Sequence, residues 1–332
     1  MPFLLALLFG FFPMLVNAGW VYWLDRYEQE PKRLLGFVFF WGAFIAAGGA
    51  LIFNTLWQTG FYLLTNSESF SALSTSILAA PLVEETLKGL AVLIVFRFYR
   101  QEFDSILDGI VYATVVALGF AAAENTLYIY DKGYLVGGYE GLFFVTLVRV
   151  FLVGWQHPFY TSFFGIGLAI FRLSRSYKGV IAPVLGFLAA VLTHAFHNAL
   201  ASISPSIQTC LLGTLIDWSG WIALFFFVIY TITRERRLLE TYLQDEVALK
   251  TITAAQYYRT LSFYHRTFDP LLNLFRGQYF LTSRFYQLCG ELAHKKAQAA
   301  RLRENAEPQI KAYRAELSQI SRLLFNEKVV KS

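Results

Sequence analysis

The run ILAAPLVEETLKGLAVLIVFRF, residues 77–98, decides how the chain is read. It is long enough to cross about 30 Å of hydrocarbon, which takes roughly 20 apolar residues, yet it carries Glu84, Glu85 and Lys88 in its interior. An ionisable side chain at the centre of a membrane helix costs roughly 2.5–3.5 kcal/mol, so it ordinarily faces protein or water and has a function. Glu84 and Lys88 stand four residues apart with the carboxylate on the N-terminal side, which predicts an ion pair along one helical face. Glu85 is turned away by about 100° and lacks that partner. A structural pair plus one snorkelling glutamate is the blander reading, and it explains two adjacent carboxylates poorly.

Six further runs of this kind surround it, at approximately 3–24, 34–54, 105–130, 143–171, 180–203 and 207–231. The composition agrees: of 332 residues 56% are apolar and only 15% charged, against about 25% charged in an average soluble domain. The expected fold is therefore all-α, a polytopic membrane helix bundle of about seven transmembrane helices. The first run has no Lys or Arg ahead of it to form the n-region of a signal peptide, so it reads as a retained span.

Loop charges test the count independently. Connections after the first, third and fifth runs hold Arg26, Lys32 and Arg33, then Arg97 and Arg100, then Arg172, Arg175 and Lys178. Those after the second, fourth and sixth hold only Lys132. Positive loops stay in the cytoplasm, so the N-terminus is expected outside and the C-terminus inside.

Charge also divides the chain. Residues 1–233 hold 11 Lys and Arg against 13 Asp and Glu, and residues 234–332 hold 17 against 10. The first part reads as a transmembrane domain and the second as a small, basic, helical cytoplasmic domain. A basic segment beside a membrane is explained by anionic lipid, so no nucleic-acid partner is expected. In the tail Leu238, Leu239, Tyr242 and Leu243, then Ile310, Tyr313, Leu317, Ile320 and Leu324, recur at helical spacing, which predicts a core of its own rather than a groove for a cytoplasmic partner. Thr253 with Gln256 fits a capping box. Cys210 and Cys289 match no disulfide framework or metal spacing. The polar stretch Leu56 to Ser76 reads as an outside loop or interfacial helix.

Four more sites place polar groups inside apolar runs. Glu124 and Asn125 follow three alanines that permit close helix approach. His157 has Arg149 two turns before it, in a run long enough that the histidine falls near its middle. His194 shares a helix face with His197 and Asn198. Asp217 reads equally well as a structural hydrogen-bond partner. At 1.5 Å per residue Glu84, Glu124 and His194 lie roughly 10, 9 and 13 Å below the outer boundary, and His157 can share that layer. Carboxylates and imidazoles delivered to one depth permit water activation: a carboxylate as base, imidazoles as metal ligands or oxyanion donors. Two other classes compete. A transporter would string polar groups through the full thickness, and Asp104 and Asp108 near the inner end of the fourth run favour it. A sensor or scaffold would act through the tail with the membrane site inactive.

Taken in order, Asp25-Arg26-Tyr27-Glu28 through Glu30-Pro31, Glu84-Glu85-x-x-Lys88, Asp108-Gly109 through Phe120-x-x-x-Glu124-Asn125, His157 followed by Phe159, Tyr160 and Thr161, and His194-x-x-x-Asn198 make a pattern that resembles the PrsW family of intramembrane proteases. That family is distantly similar to the CAAX prenyl endopeptidase and ABI superfamily. The resemblance covers about residues 20 to 200 and leaves the tail outside. It implies an endopeptidase of the bacterial plasma membrane that cuts a membrane-anchored protein on its outer side, an anti-sigma factor in stress signalling being the best-known case. It also implies Glu84, Glu85, Glu124, His157 and His194 as the catalytic set, supported by Lys88, Asn125, His197 and Asn198. The family often has an aromatic residue where this chain has His197, so either imidazole of the pair can face the site.

Two mechanisms use these residues. In one, His157, His194 and Glu124 hold Zn²⁺ and another glutamate takes the water proton; in the other, a glutamate pair activates water without a metal and the histidines stabilise the oxyanion. Glu85 or Glu124 is the expected base and Lys88 is expected to orient Glu84. The usual zinc-protease helix His-Glu-x-x-His is absent.

Overall fold

Ser105 opens the helix around which the membrane part is built. Its hydroxyl accepts from the Asp108 backbone N–H at 3.2 Å, while an Asp108 carboxylate oxygen accepts from the Ser105 N–H at 2.7 Å, a reciprocal cap that satisfies two orphan donors. The second of these acids, Asp108, is thereby spent on a helix end, and it also accepts from the Asp104 backbone at 2.8 Å. The helix that follows, α6 (Ile106–Tyr128), is buried nearly throughout from Leu107 to Ala122.

The computed structural model describes residues 1–174, 177–203, 207–302 and 306–329. Besides α6 the chain forms, in order, α1 (Pro2–Leu24), α2 (Lys32–Phe40), α3 (Ala47–Thr65), α4 (Glu68–Ser74), α5 (Ala80–Phe98), α7 (Leu135–Thr146), α8 (Gln156–Leu173), α9 (Tyr177–Ile203) and α10 (Ile207–Ala248), and α2, α5 and α8 pack directly on α6. No strand occurs among the described residues, and five helical stretches are long and apolar enough to cross a bilayer: Pro2–Leu24, Lys32–Thr65, Ile106–Leu173, Gly179–Ser202 and Leu212–Ala248. The chain is a multi-pass helical membrane protein. The difference from seven runs has two causes. Ile106–Leu173 contains both α6 and α8, read from sequence as separate spans, and α5 falls short on composition because it carries Glu84, Glu85 and Lys88.

Two expectations need correcting. The run 143–171 is not one span: π-helical turns at Leu147–Leu152 and a non-helical break at Val153–Trp155 end it, and α8 begins at Gln156. His157 is therefore the second residue of a helix, not the middle of one. Upstream, Gly138 sits at φ +60 and kinks α7, a conformation that glycine adopts freely. Likewise the run 34–54 does not end there: α3 continues to Thr65, so of the two readings of Leu56 to Ser76, loop or helix, the stretch is largely helical, with α4 and π-helical turns at Thr75–Ala79 leading into α5.

α6 and α8 meet backbone to backbone. A Cβ on Gly109 would overlap the carbonyl oxygen of Gly165, and one on Gly165 would overlap that of Gly109. Small residues permit this approach, on which helix association in lipid depends.

The chain divides into two compact units, Met1–Tyr22 with Glu30–Val228, and Trp23–Gln29 with Ile229–Ser332. The division falls inside α10. The second unit contains α11 (Ala254–Thr260), α12 (Phe263–Leu272), α13 (Tyr279–Leu302) and α14 (Glu307–Val329), with the expected Thr253–Gln256 capping box in place. Leu239, Leu243, Ile310, Leu317 and Ile320 are buried in its own core with Phe285, Leu288 and Leu292. Tyr27 joins that core, and the buried Arg266 donates to the carbonyls of Arg26, Tyr27 and Tyr286. Burial pushes the Arg266 guanidinium down to about 10, as desolvation does to any cation. The side chains of Cys210 and Asp217 lie outside the described residues.

Candidate active site

Elements of the first unit, α3, α5, α6, α8 and α9 among them, line a cavity of about 680 Å³. Glu84 comes from α5, Glu124 from α6, His157 from the start of α8 and His194 from α9, all of them in its wall together with Asn54 of α3.

The two adjacent glutamates of α5 have different surroundings, and these reverse the sequence expectation. Lys88 pairs with Glu85, Nζ to Oε1 at 2.5 Å, and not with Glu84. The three-residue spacing suffices because both side chains turn inward, and Lys88 is fully buried with its ammonium 4.6 Å from the centre of the Phe120 ring. Glu85 also accepts from Thr161 Oγ1 at 2.8 Å and from His194 Nδ1 at 2.9 Å. This buried carboxylate thus meets three donors.

Glu84 is the less committed of the two. Its Oε1 accepts from Asn54 Nδ2 at 3.4 Å, whereas Oε2 is buried without a hydrogen-bond partner. That Oε2 lies 3.8 Å from His194 Nε2. Because Nδ1 of His194 gives its proton to Glu85, Nε2 presents a lone pair toward Glu84; the second nitrogen of an imidazole is commonly fixed in this way by a carboxylate. Tyr160 stacks on the same ring with centroids 5.0 Å apart.

His157 bridges the two halves of the site. Its Nδ1 is 3.3 Å from Lys88 Nζ and its Nε2 is 3.0 Å from Glu124 Oε2. Glu124 is held from the other side by Arg149, which also donates through Nε to Asn125 Oδ1 at 3.0 Å and lies 3.9 Å from the Tyr128 ring centre.

Glu84, His157 and His194 each bring one donor atom within 4.8 Å of the other two. The orphaned Glu84 Oε2 and the lone pair on His194 Nε2 fit a divalent metal, for which His157 would exchange its contact with Lys88 or Glu124, and His₂Glu is a common catalytic zinc set. The carboxylate in this cluster is Glu84, whereas the sequence reading named Glu124, which pairs with Arg149 and lies 3.0 Å from His157.

Of the supporting residues, Lys88 and Asn125 are buried and His197 and Asn198 line the cavity. Asn198 Nδ2 donates to the carbonyl of Ser76 at 2.9 Å, and His197 Nδ1 is 3.3 Å from Gln156 Nε2. His194 is thus the imidazole of the pair that enters the cluster, while His197 lines the cavity beside it. Arg149, Asn54 and Tyr160 received no role from sequence. Arg149 had a usable signal, being an arginine within an apolar run. Asn54 ends the second run with nothing to mark it, and Tyr160 is one aromatic among many.

The comparisons with known proteins agree on one family. The relatives include proteins named "Protease PrsW" from Clostridioides difficile (strain 630), 37% identical over 131 residues that make up 39% of this chain and 51% of that protein. Another is from Geobacillus kaustophilus (strain HTA426), 33% identical over 124 residues, 37% of this chain and 52% of that one. A third, from Oceanobacillus iheyensis, is 28% identical over 189 residues, 57% of this chain and 79% of that protein. The chain thus spans about half the length of the first two relatives. No solved structure gives a significant match. A family profile described as "PrsW family intramembrane metalloprotease" matches residues 30–232, and the chain belongs to that family.

Proposed function

We propose that this chain hydrolyses a peptide bond of a membrane-anchored protein at the cavity between α3, α5, α6, α8 and α9. The observation that carries the reading is the convergence of Glu84, His157 and His194 donor atoms within 4.8 Å of one another, with Glu124 3.0 Å from His157, in a member of a metalloprotease family.

In this reading Glu84, His157 and His194 hold Zn²⁺. A zinc ion there supplies Lewis-acid polarisation of the scissile carbonyl and acidifies a bound water. Glu85 accepts the Nδ1 proton of His194 and so keeps Nε2 aimed at the ion, while Lys88 and Thr161 fix Glu85. Glu124, steadied by Arg149, is the carboxylate placed to take a proton from water and hand it to the leaving amine, as general acid–base catalysis requires. The polar rim of Gln156, His197 and Asn198 holds the substrate backbone. Residues 1–233 form the protease domain, with the N-terminus outside the bacterial plasma membrane and residues 234–332 in the cytoplasm. An anti-sigma factor cut near the outer face is the substrate class that the family resemblance favours. The transporter alternative loses support from Asp108, which caps α6 instead of joining a polar path.

The test is metal analysis of the purified protein together with cleavage of a membrane-anchored reporter in vesicles. Wild type is expected to carry zinc and to lose cleavage to a chelator. Glu84→Gln and His194→Ala are expected to lose both metal and activity. Cleavage that survives in both variants would refute the assignment, and an ion flux that depends on Glu84 would favour transport. Cleavage by metal-free protein would transfer the reaction to the carboxylates alone.

A further inference from the structure

α12 is amphipathic in the unusual sense. Its buried residues are Arg266, Thr267, Asp269 and Pro270, whereas Tyr264, Phe268, Leu271 and Leu272 face outward. These four stand at the spacing of one helical stripe. The stripe runs on through the turn to Phe275, 97% exposed, and to Phe280, 83% exposed. Rotating the helix to hide the stripe would break the inner contacts. Arg266 holds three carbonyls, and Asp269 accepts from Arg259 at 2.9 Å and from the Tyr286 hydroxyl at 2.5 Å. The second unit therefore spends its polar side inward and keeps a contiguous apolar face outward, a pattern that marks an interaction surface.

Charge says what covers it. Of the five cations in residues 247–290, Arg266 is buried, Arg259 pairs with Asp269 and Arg284 pairs with Glu291 and Glu316, which leaves Lys250 and Arg276 outside these pairs. Arg276 lies in the turn itself, beside Phe275 and Tyr279. An apolar and aromatic stripe that carries Arg276 in its turn and no acid between residues 264 and 280 except the buried Asp269 suits the interface of an anionic bilayer. The unit is covalently continuous with the candidate span that α10 contains, which holds it at high effective concentration near lipid. We infer that the α12–α13 corner, with Phe275 at its tip and Leu272 and Phe280 beside it, is a lipid-docking surface that inserts shallowly into an anionic membrane interface.

The test uses the full chain carrying Cys210→Ser, reconstituted in phosphatidylcholine vesicles with and without phosphatidylglycerol. A polarity-sensitive fluorophore is attached at Phe275→Cys, and in a reference protein at Lys311→Cys on α14. The remaining Cys289 resists labelling because burial pushes its thiol up to about 12, which suppresses the reactive thiolate. At 275 the emission is expected to shift to the blue and to be quenched by nitroxides on lipid acyl chains, both more strongly with phosphatidylglycerol. At 311 the spectrum is expected to stay water-like. Adding Leu272→Asp should reduce the shift at 275 while Cys289 stays protected, which shows that the unit is still folded. A label at 275 as water-like and as unquenched as that at 311, in both lipids, overturns the proposal. So does a blue shift that lipid-borne nitroxides do not touch and that grows with protein density, since a second copy of the chain would then cover the face.

Discussion

Single residues sort themselves here by how many of their hydrogen-bonding positions are already filled. Glu85 is filled by Lys88, Thr161 and His194, and partners of a ligating histidine contribute typically 10–100-fold to metal affinity or activity. Glu85→Ala is accordingly expected to lower zinc affinity and cleavage by about that factor, with Thr161→Ser near wild type and Thr161→Val between them. Titration of the purified variants with a competing chelator measures it, and unchanged affinity in Glu85→Ala would contradict the orienting role. Arg149 gives a second case. Its guanidinium reaches Glu124 and Asn125 together, a fork that an ammonium cannot reproduce. Arg149→Lys should therefore recover only part of the cleavage that Arg149→Ala loses, and full recovery would show that charge alone matters. Glu84 and Glu85 also show the limit of spacing arguments. Four-residue spacing predicted the wrong partner for Lys88, because the choice rests on which carboxylate His194 and Thr161 draw into the core from other helices.

Helices carry the next set of consequences. The crossing of α6 and α8 at Gly109 and Gly165 sets the distance between Glu124 and His157, since each side chain is fixed to one of the two. Gly165→Val forces a side chain into a backbone contact. It is expected to destabilise the fold by about 1–3 kcal/mol or more, seen as a lower unfolding temperature in detergent. The cap at the start of α6 separates the enzyme from the transporter reading. Ser105→Ala should remove about 0.5–2 kcal/mol while leaving reporter cleavage by the folded protein at its wild-type rate. Had Asp108 belonged to an ion path, substitutions at this cap would alter flux rather than stability. The break at Val153–Trp155 belongs to the same scale. It brings His157 in at a helix start, where its ring can reach Lys88 and Glu124 together.

For the molecule as a whole, the second unit is held by buried ionic contacts that respond to pH. Burial alone would raise the Asp269 carboxyl, but hydrogen bonds from Arg259, Tyr286 and His265 outweigh it and hold Asp269 below the ordinary carboxylate range. The buried Glu246 is ion-paired in the same unit with Arg314 at 2.8 Å and Lys296 at 3.0 Å. A carboxylate depressed in the folded state stabilises above its unfolded pKa, about 3.9 for Asp and 4.3 for Glu. That stability is lost as pH falls through the lower folded value. The second unit should therefore loosen as pH drops below about 4, with amide exchange rising across residues 229–329 of the full chain. Asp269→Asn should flatten this response while lowering stability at neutral pH.

By itself the sequence determined that the chain lies in a membrane, that it is helical, and which residues are anomalous there. Long apolar runs admit only helices that satisfy their own backbone, and an ionisable group inside one announces itself by its energetic penalty. It also determined the core of the second unit, where the stripes through Leu239, Leu243, Leu317 and Ile320 are buried as their period requires. Tertiary structure alone decided the pairings. Lys88 chose Glu85, Glu84 joined His157 and His194 in one cluster while Glu124 paired with Arg149 and His157, the run 143–171 broke in two, and Trp23–Gln29 joined the second unit through Arg266. Each of these depends on a partner from a distant part of the chain, and a periodic pattern records which face of a helix is apolar but not what meets it.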